Sequence, residues 1–167
     1  MANVILTLGD DVSTDVIYPG RYMATVLPAE TPRYAFADAP AFNARLVAKE
    51  IPPGSVIVAG KNFGCGSSRE QAVSALKGHE VIVVAESFAR IFLQNAINLG
   101  LQIVAAPGVT AREGDELVIR GSEVVNTTRG ASWPVEQMPR ARKAILDAGG
   151  LISYTRTRLQ DQAQRTT

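Results

Sequence analysis

The chain has 167 residues, of which 46% are hydrophobic and 20% are charged, as expected of an ordinary globular protein and not of a disordered one. A net charge of +1 gives no electrostatic basis for binding nucleic acid or an anionic membrane. A single cysteine excludes an internal disulfide and cannot by itself supply the several ligands of an iron–sulfur cluster.

The first third of the chain contains one predicted strand followed by turns. Residues 4–8 form this strand, and they lack both the basic flank of a signal peptide and the length of a membrane span. We therefore expect a cytoplasmic protein. Residues 9–15 are predicted to form a solvated loop. Prolines interrupt residues 28–53, where 42–49 is the best helix candidate.

The middle of the chain alternates short apolar runs with segments of helical spacing. Residues 55–59, 81–85 and 101–105 are predicted to be buried strands, and 68–77 and 88–99 to be the helices between them. This alternation predicts a parallel βαβαβ unit and hence an α/β fold. In the second helix we expect three residues to face the core: Phe88, Ile91 and Phe92.

Beyond Pro107 the pattern changes. Residues 116–120 and 123–126 flank a short turn and predict an added β-hairpin. Residues 139–148 predict a helix, and the chain from residue 151 onward predicts a short strand or helix. Residues 160–167 are expected to form a polar tail that frays. The whole chain is expected to form one domain, residues 1–167.

The most informative stretch is the predicted loop of residues 60–70 (GKNFGCGSSRE). Its three glycines allow the backbone to bend sharply and to approach a ligand closely. Ser67, Ser68 and Arg69 then fall at the predicted helix start, where backbone amides, the helix dipole and a guanidinium all favour a carboxylate. The structural alternative is a capping box, because Ser67 and Ser68 stand three residues before Glu70 and Gln71.

Residues 62–70 (NFGCGSSRE) resemble the signature of the swivel domain of the aconitase superfamily, here as a separate small chain. The resemblance extends to residues 9–17 (GDDVSTDVI), 19–22 (PGRY), 85–92 (AESFARIF) and 95–101 (NAINLGL). Within the superfamily, the chain is most similar to small subunits of the isopropylmalate dehydratase type. The resemblance implies a swivelling β/β/α three-layer domain with a parallel core and an added hairpin.

The resemblance also implies a division of labour between two chains. A large partner subunit would hold a [4Fe–4S] cluster, and this chain would bind no metal. Ser67 would be the alkoxide that removes a proton α to a carboxylate, Ser68 and Arg69 would bind a substrate carboxylate, and Asp15 would orient these groups. Cys65 is expected to be a small buried loop residue and not a ligand.

Substrate choice is expected to depend on Tyr22, Met23 and Ala24. Small subunits of the homoaconitase type have Tyr-Leu-Arg-Thr at this place, and the Arg meets the distal carboxylate of the substrate. Ala24 cannot pair with a charge, and an unpaired carboxylate in a pocket costs on the order of several kcal/mol. An apolar substrate branch is therefore favoured. The alternative is that this loop only packs, with Arg21 or Arg33 reaching the substrate.

The implied function is that of a hydro-lyase small subunit, active only with its large subunit. It would isomerise 2-isopropylmalate and 3-isopropylmalate, small hydroxy-dicarboxylates, by dehydration and rehydration in leucine biosynthesis. One alternative is a related dehydratase for 2,3-dimethylmalate, citraconate/2-methylmalate or homocitrate. Another is a non-catalytic module whose loop only binds an anion.

Overall fold

A computed structural model describes residues 1–165, so the last two residues of the expected polar tail lie outside the described part. The strands of the described part form one seven-stranded sheet in the order β4-β3-β2-β1-β5-β6-β7. Their bounds are β1 Ala2–Thr7, β2 Val56–Ala59, β3 Ile82–Ala85, β4 Ile103–Ala105, β5 Glu116–Arg120, β6 Glu123–Asn126 and β7 Ala131–Pro134.

The helices lie between and after these strands. Two single-turn 3-10 helices span Gly20–Tyr22 and Thr31–Tyr34. The α-helices are α1 Thr14–Ile17, α2 Pro40–Val47, α3 Glu70–Gly78, α4 Arg90–Leu99, α5 Arg140–Asp147 and α6 Leu151–Arg165. No helix among residues 1–165 is both long and apolar enough to cross a membrane.

The parallel half of the sheet confirms the predicted βαβαβ unit. Strand β2 pairs in parallel with β1 on one side and with β3 on the other, and β3 pairs in parallel with β4. All four residues of β2 are buried, as expected of a strand covered on both faces. The predicted hairpin is β5 and β6, which pair in antiparallel fashion and join the sheet through β1.

Alternate residues of the parallel strands belong to two separate cores. Ile57 faces the core that contains helix residues such as Leu76 and Phe92. Val56, next to it, faces a second core that includes Val124 of the antiparallel half. Since the antiparallel strands share a core with the parallel strands, they fold over the face opposite the helices. This arrangement confirms the expected β/β/α layers.

One expectation about the core was wrong. Ile91 is 46% exposed, whereas Phe92 is 2% exposed. Helix α4 begins at Arg90 instead of residue 88, and adjacent helical residues point about 100° apart, so Ile91 turns away from the core. In the described residues the expected polar tail is helical through Arg165 as part of α6, and its fraying stays a prediction.

Strand β7 was missed by the sequence pattern. It includes Pro134, which has no N–H to donate to a ladder and argues against a central strand. The strand is tolerated because it lies at the edge of the sheet, where only β6 pairs with it.

Candidate functional site

Three loops meet at the carboxyl edge of the parallel strands. They follow β1, β2 and β3, which are neighbours in the sheet, and the carboxyl ends of adjacent parallel strands bring their loops together. The loop after β2 is the glycine-rich stretch singled out by its sequence. Its Phe63 amide donates to the Ser87 carbonyl oxygen at 3.0 Å, and the Ala89 amide donates to the Phe63 carbonyl oxygen at 2.9 Å.

The loops after β1 and β2 are bonded to each other along most of their length. Backbone and side-chain groups both take part, each with a donor–acceptor distance of 2.8 Å. The bonds run from the amides of Asp11, Thr14 and Gly64 to the carbonyls of Lys61, Cys65 and Val12, from the Lys61 amide to Asp10 Oδ1, and from Asn62 Nδ2 to Asp11 Oδ1. Segments about fifty residues apart in sequence therefore form one surface.

Glycine is required at position 64 of the glycine-rich loop after β2 for two reasons. Gly64 has a φ of +81°, a conformation that disfavours any residue with a Cβ. A Cβ built on Gly64 would also lie 2.2 Å from Cγ of Phe92, which is part of the buried core. The backbone of the loop thus packs directly on α4, and this contact fixes where the following residues emerge.

The capping-box interpretation of Ser67 and Ser68 is wrong. Helix α3 begins at Glu70, its N-cap is Arg69, and no side chain caps it. Both serines precede the helix and are exposed. Their hydroxyl groups are therefore not engaged in holding the helix start.

Thr14 lies beneath Ser67 and is itself 1% exposed. Its hydroxyl donates to the Ser67 carbonyl oxygen at 3.1 Å, and its Oγ1 is 3.3 Å from Ser67 Oγ. With its one proton given to the carbonyl, Thr14 can accept the proton of the Ser67 hydroxyl. In this pairing the Ser67 hydroxyl is the donor, so the lone pairs of its exposed Oγ are not used by Thr14.

Arg69 lies between two acceptors at helix α1, one in its first turn and one at its C-cap. Its Nη1 donates to Asp15 Oδ1 and, at 3.2 Å, to the Tyr18 carbonyl oxygen. The Arg69 side chain is 15% exposed, whereas that of Asp15 is 59% exposed. The hydrogen bond from Arg69, with its positive charge, lowers the pKa of Asp15 against the opposing effect of burial. Asp15 is thus ionised at neutral pH and holds Arg69 in place.

The three residues expected to choose the substrate differ in their surroundings. The half-buried ring of Tyr22 stacks on Tyr34, with centroids 4.2 Å apart and an interplanar angle of 16°. Met23 is 38% exposed, and Ala24 is exposed as well. Tyr22 therefore contributes to packing, while the next two side chains remain open to a ligand.

Arg21 and Arg33, the two arginines that could instead reach the substrate, lie in different environments. Arg21 Nη1 donates to Asp38 Oδ2 at 3.2 Å, and its guanidinium also lies over the Tyr22 ring at 4.7 Å. Arg21 is therefore engaged by this chain. Arg33 is exposed in the 3-10 helix Thr31–Tyr34.

Three residues that touch the candidate site were given no role in it from the sequence: Thr14, Tyr18 and Gln71. Thr14 could have been found, since it adjoins Asp15. Tyr18 follows two aliphatic residues, and Gln71 lies within a predicted helix, so neither carried a signal.

Cys65 is half-buried instead of fully buried, and its Sγ donates to the Asp11 carbonyl oxygen at 3.2 Å. Among residues 1–165, no group of three or more His, Cys, Asp or Glu side chains could hold a metal ion. The donor atoms of the described chain therefore do not fit an iron–sulfur cluster, which generally needs several cysteine ligands.

Comparison with known proteins identifies the family. The Aconitase C-terminal domain model matches residues 36–107. The 3-isopropylmalate dehydratase small subunit of Moorella thermoacetica is 47% identical over 154 residues, covering 89% of this chain and 90% of the relative. The chain belongs to the family of 3-isopropylmalate dehydratase small subunits. This membership confirms the resemblance drawn from residues 62–70.

Members of this family and its near relatives differ in substrate. The methanogen homoaconitase small subunit of Methanothermobacter thermautotrophicus is 44% identical over 150 residues, covering 87% of this chain and 85% of the relative. A crystal structure of 3-isopropylmalate dehydratase from Methanocaldococcus jannaschii superposes with a TM-score of 0.87 at 40% identity, covering 98% of this chain and 97% of that one. Sequence identity over the whole chain therefore does not indicate the substrate, which has to be inferred from the residues of the site.

Proposed function

We propose that the chain is the small subunit of a heteromeric hydro-lyase that interconverts 2-isopropylmalate and 3-isopropylmalate in leucine biosynthesis. The observation that carries the proposal is the exposed Ser67 hydroxyl two residues before Arg69, whose guanidinium is bonded to the Asp15 carboxylate, in a chain of this family. We also propose a cytoplasmic location, which is in keeping with a chain that has one cysteine and therefore no internal disulfide.

The base in this proposal is Ser67. As an alkoxide, Ser67 Oγ would remove the proton from the carbon α to a substrate carboxylate and return a proton there during rehydration. Once Ser67 is ionised, Thr14, whose Oγ1 is 3.3 Å from Ser67 Oγ, would turn its single hydroxyl proton from the Ser67 carbonyl oxygen to the alkoxide, and the dipole of α3 would favour the negative charge. The site thus has groups that lower the free energy of the ionised serine.

The carboxylate would be bound by Arg69 and Ser68. Nη1 of Arg69 is occupied by Asp15 and Tyr18, and the remaining N–H groups of the planar guanidinium can form two parallel bonds with a carboxylate. Because Asp15 is ionised, it orients the guanidinium before the substrate arrives. The substrate would then be held with its acidic carbon toward Ser67.

The remaining chemistry requires a second chain. A [4Fe–4S] cluster held by a large subunit would supply the Lewis acid that binds the hydroxyl and one carboxylate of the substrate. That arrangement accords with the lack of a fitting donor set among the described residues. The proposed partners are therefore the large subunit and a small hydroxy-dicarboxylate, with no role for nucleic acid or a membrane.

The apolar branch of the substrate would lie against Met23 and Ala24. Neither side chain carries charge, and Arg21 is already paired with Asp38. A distal carboxylate in this region would lack its usual arginine partner, at a cost on the order of several kcal/mol. The site therefore favours isopropylmalate over homocitrate, although a homoaconitase subunit is among the relatives.

The test is to mix the purified chain with a cluster-loaded large subunit and to compare isopropylmalate, 2-methylmalate, 2,3-dimethylmalate and homocitrate. We expect activity that needs both chains and is highest with isopropylmalate. Full activity of the lone chain without iron would overturn the proposal, and a preference for homocitrate would overturn the role of Ala24. Stoichiometric anion binding without turnover, unchanged by Ser67→Ala, would instead favour a non-catalytic module.

A further inference from the structure

We propose that Tyr18 is a positioning residue for substrate specificity, because it holds the loop of residues 22–25 in a fixed place relative to Arg69. The inference rests on the proposed function, in which that loop meets the branch of the substrate and Arg69 binds its carboxylate. Tyr18 itself is fully buried and does not contact the substrate.

The side chain of Tyr18 is hydrogen-bonded to both ends of the loop. Its hydroxyl lies 3.1 Å from the Tyr22 carbonyl oxygen and 3.4 Å from that of Thr25. A phenol has one proton, so the two carbonyls share one donor, and the nearer receives the stronger bond. Burial raises the pKa of Tyr18, so the hydroxyl remains a donor throughout the neutral range.

The main chain of Tyr18 is hydrogen-bonded to Arg69, the proposed carboxylate-binding residue. Its carbonyl oxygen accepts the bond from Arg69 Nη1 at 3.2 Å. One residue therefore contacts both parts of the proposed substrate site, the loop through its side chain and Arg69 through its main chain. A displacement of Tyr18 would change the distance between these two parts.

A second side chain holds the loop from α3. Nε2 of Gln71 donates to the Met23 carbonyl oxygen at 3.3 Å. The loop is thus held through three of its carbonyl groups, while the side chains of Met23 and Ala24 stay exposed. Contacts of this kind fix the backbone without filling the space that a substrate branch would occupy.

The direct test is Tyr18→Phe, which removes one oxygen atom and keeps the ring that packs edge-on against Tyr22 and Tyr34. We expect the KM for isopropylmalate to rise about three- to tenfold with kcat within about twofold, as for loss of one hydrogen bond that positions a bound substrate. The preference for isopropylmalate over 2-methylmalate should fall by a similar factor. Tyr154→Phe, which removes a phenol hydroxyl on α6, should change neither quantity.

Amide hydrogen exchange of the lone chain tests the positioning without any activity. The amides of Tyr22, Met23 and Thr25 donate to the carbonyl oxygens of Pro19, Gly20 and Tyr22 at 3.0, 3.1 and 2.9 Å. In Tyr18→Phe these amides should exchange several-fold faster, while those of α3 remain unchanged. Gln71→Leu, which releases the Met23 carbonyl, should accelerate the same amides even where Tyr18→Phe yields too little folded protein.

The outcomes separate this inference from the proposed function. Unchanged loop exchange together with an unchanged preference for isopropylmalate would overturn the role of Tyr18. An equal loss of kcat/KM for both substrates with a lowered Tm would also overturn it, because that result indicates a purely structural residue. A wild-type pair inactive on every substrate would refute the proposed function, whereas the exchange result would still decide whether Tyr18 holds the loop.

Discussion

Arg69 and Asp15 form an ion pair that joins the end of the glycine-rich loop to the first turn of α1. The pair connects a mostly buried guanidinium to an exposed carboxylate. This placement supports the proposed role of Asp15 in orienting Arg69 toward a substrate, and that role can be tested by substitution.

Asp15→Asn should lower kcat/KM about tenfold, because Arg69 loses the charge that orients it. Steady-state kinetics of the assembled enzyme provides the measurement. In the wild type, the lowered pKa of Asp15 keeps the pair intact at neutral pH, and the pair is lost only as the pH falls below the usual carboxyl range. Asp147→Asn, which breaks the exposed pair with Lys143 on α5, serves as the control and should leave kcat/KM unchanged.

Ser67→Ala should reduce kcat by about 10²- to 10⁴-fold, the range expected for removal of a general base. Folding should be preserved, since Ser67 is exposed and its hydroxyl interacts with Thr14 alone among the contacts seen. Ser132→Ala, on the exposed face of β7, is the matched control. Retention of more than about a tenth of kcat in Ser67→Ala would remove this serine from the role of base.

Ala24→Arg should lower kcat/KM for isopropylmalate and raise it for homocitrate. The new guanidinium would be partly desolvated against an apolar branch but could pair with a distal carboxylate. We expect the ratio of the two kcat/KM values to shift by about tenfold or more, which corresponds to about 1.4 kcal/mol. Ala24→Met adds length without charge and should not improve homocitrate turnover.

Gly64→Ala should destabilise the fold by about 2–5 kcal/mol, from left-handed strain together with overpacking against Phe92. Urea unfolding gives the free energy. Gly114→Ala is a matched control, because Gly114 has a similar φ of +87° but no atom within 4 Å of its added Cβ. Equal losses in the two variants would show that the contact with Phe92 adds nothing.

Asp115 gives a prediction for acid stability. It is buried and accepts bonds from Arg129 Nε at 2.6 Å, the Arg112 amide at 2.9 Å and Asn126 Nδ2 at 2.8 Å. These bonds, the one from Arg129 above all, lower the pKa of Asp115 to about 2. A lowered carboxyl pKa stabilises the fold above about pH 4, and this contribution is lost as the pH falls toward 2.

The measurement is the free energy of unfolding between about pH 2 and 7 for the wild type and Asp115→Asn. The variant should be less stable at neutral pH and should lose less stability on acidification. Asp147→Asn should follow the wild-type curve, because its carboxylate is exposed on α5. A variant curve parallel to the wild type would contradict the assignment to Asp115.

The parts of the fold that could be predicted are those set by local pattern. Apolar runs such as residues 56–59 have few alternatives to a buried strand, and a glycine such as Gly100, which ends α4 in the left-handed conformation, is the usual residue at a helix C-terminus. Ile91 was misassigned because helical spacing does not specify the residue at which the helix begins. Strand β7 depends on pairing with β6, which no local pattern reports.

The residues of the candidate site were also predictable only in part. Ser67 and Arg69 lie within a glycine-rich loop whose composition carries the signal. The pairing of Arg69 with Asp15 depends on β1 and β2 being neighbours in the sheet, and the sequence alone does not state that order. Tyr18 acts through a buried hydroxyl, and a buried tyrosine in an apolar run has the pattern of ordinary core.

The bonds between the loops after β1 and β2 also restrict how the molecule can move. Asp15, Arg69 and Ser67 are carried by segments that are joined to each other, so they translate and rotate as one unit. In the proposed enzyme, closure of this chain over a large subunit would therefore move these three residues together as one rigid body. Such closure would bring the proposed base and the proposed carboxylate-binding arginine to the substrate together, with their mutual geometry already set.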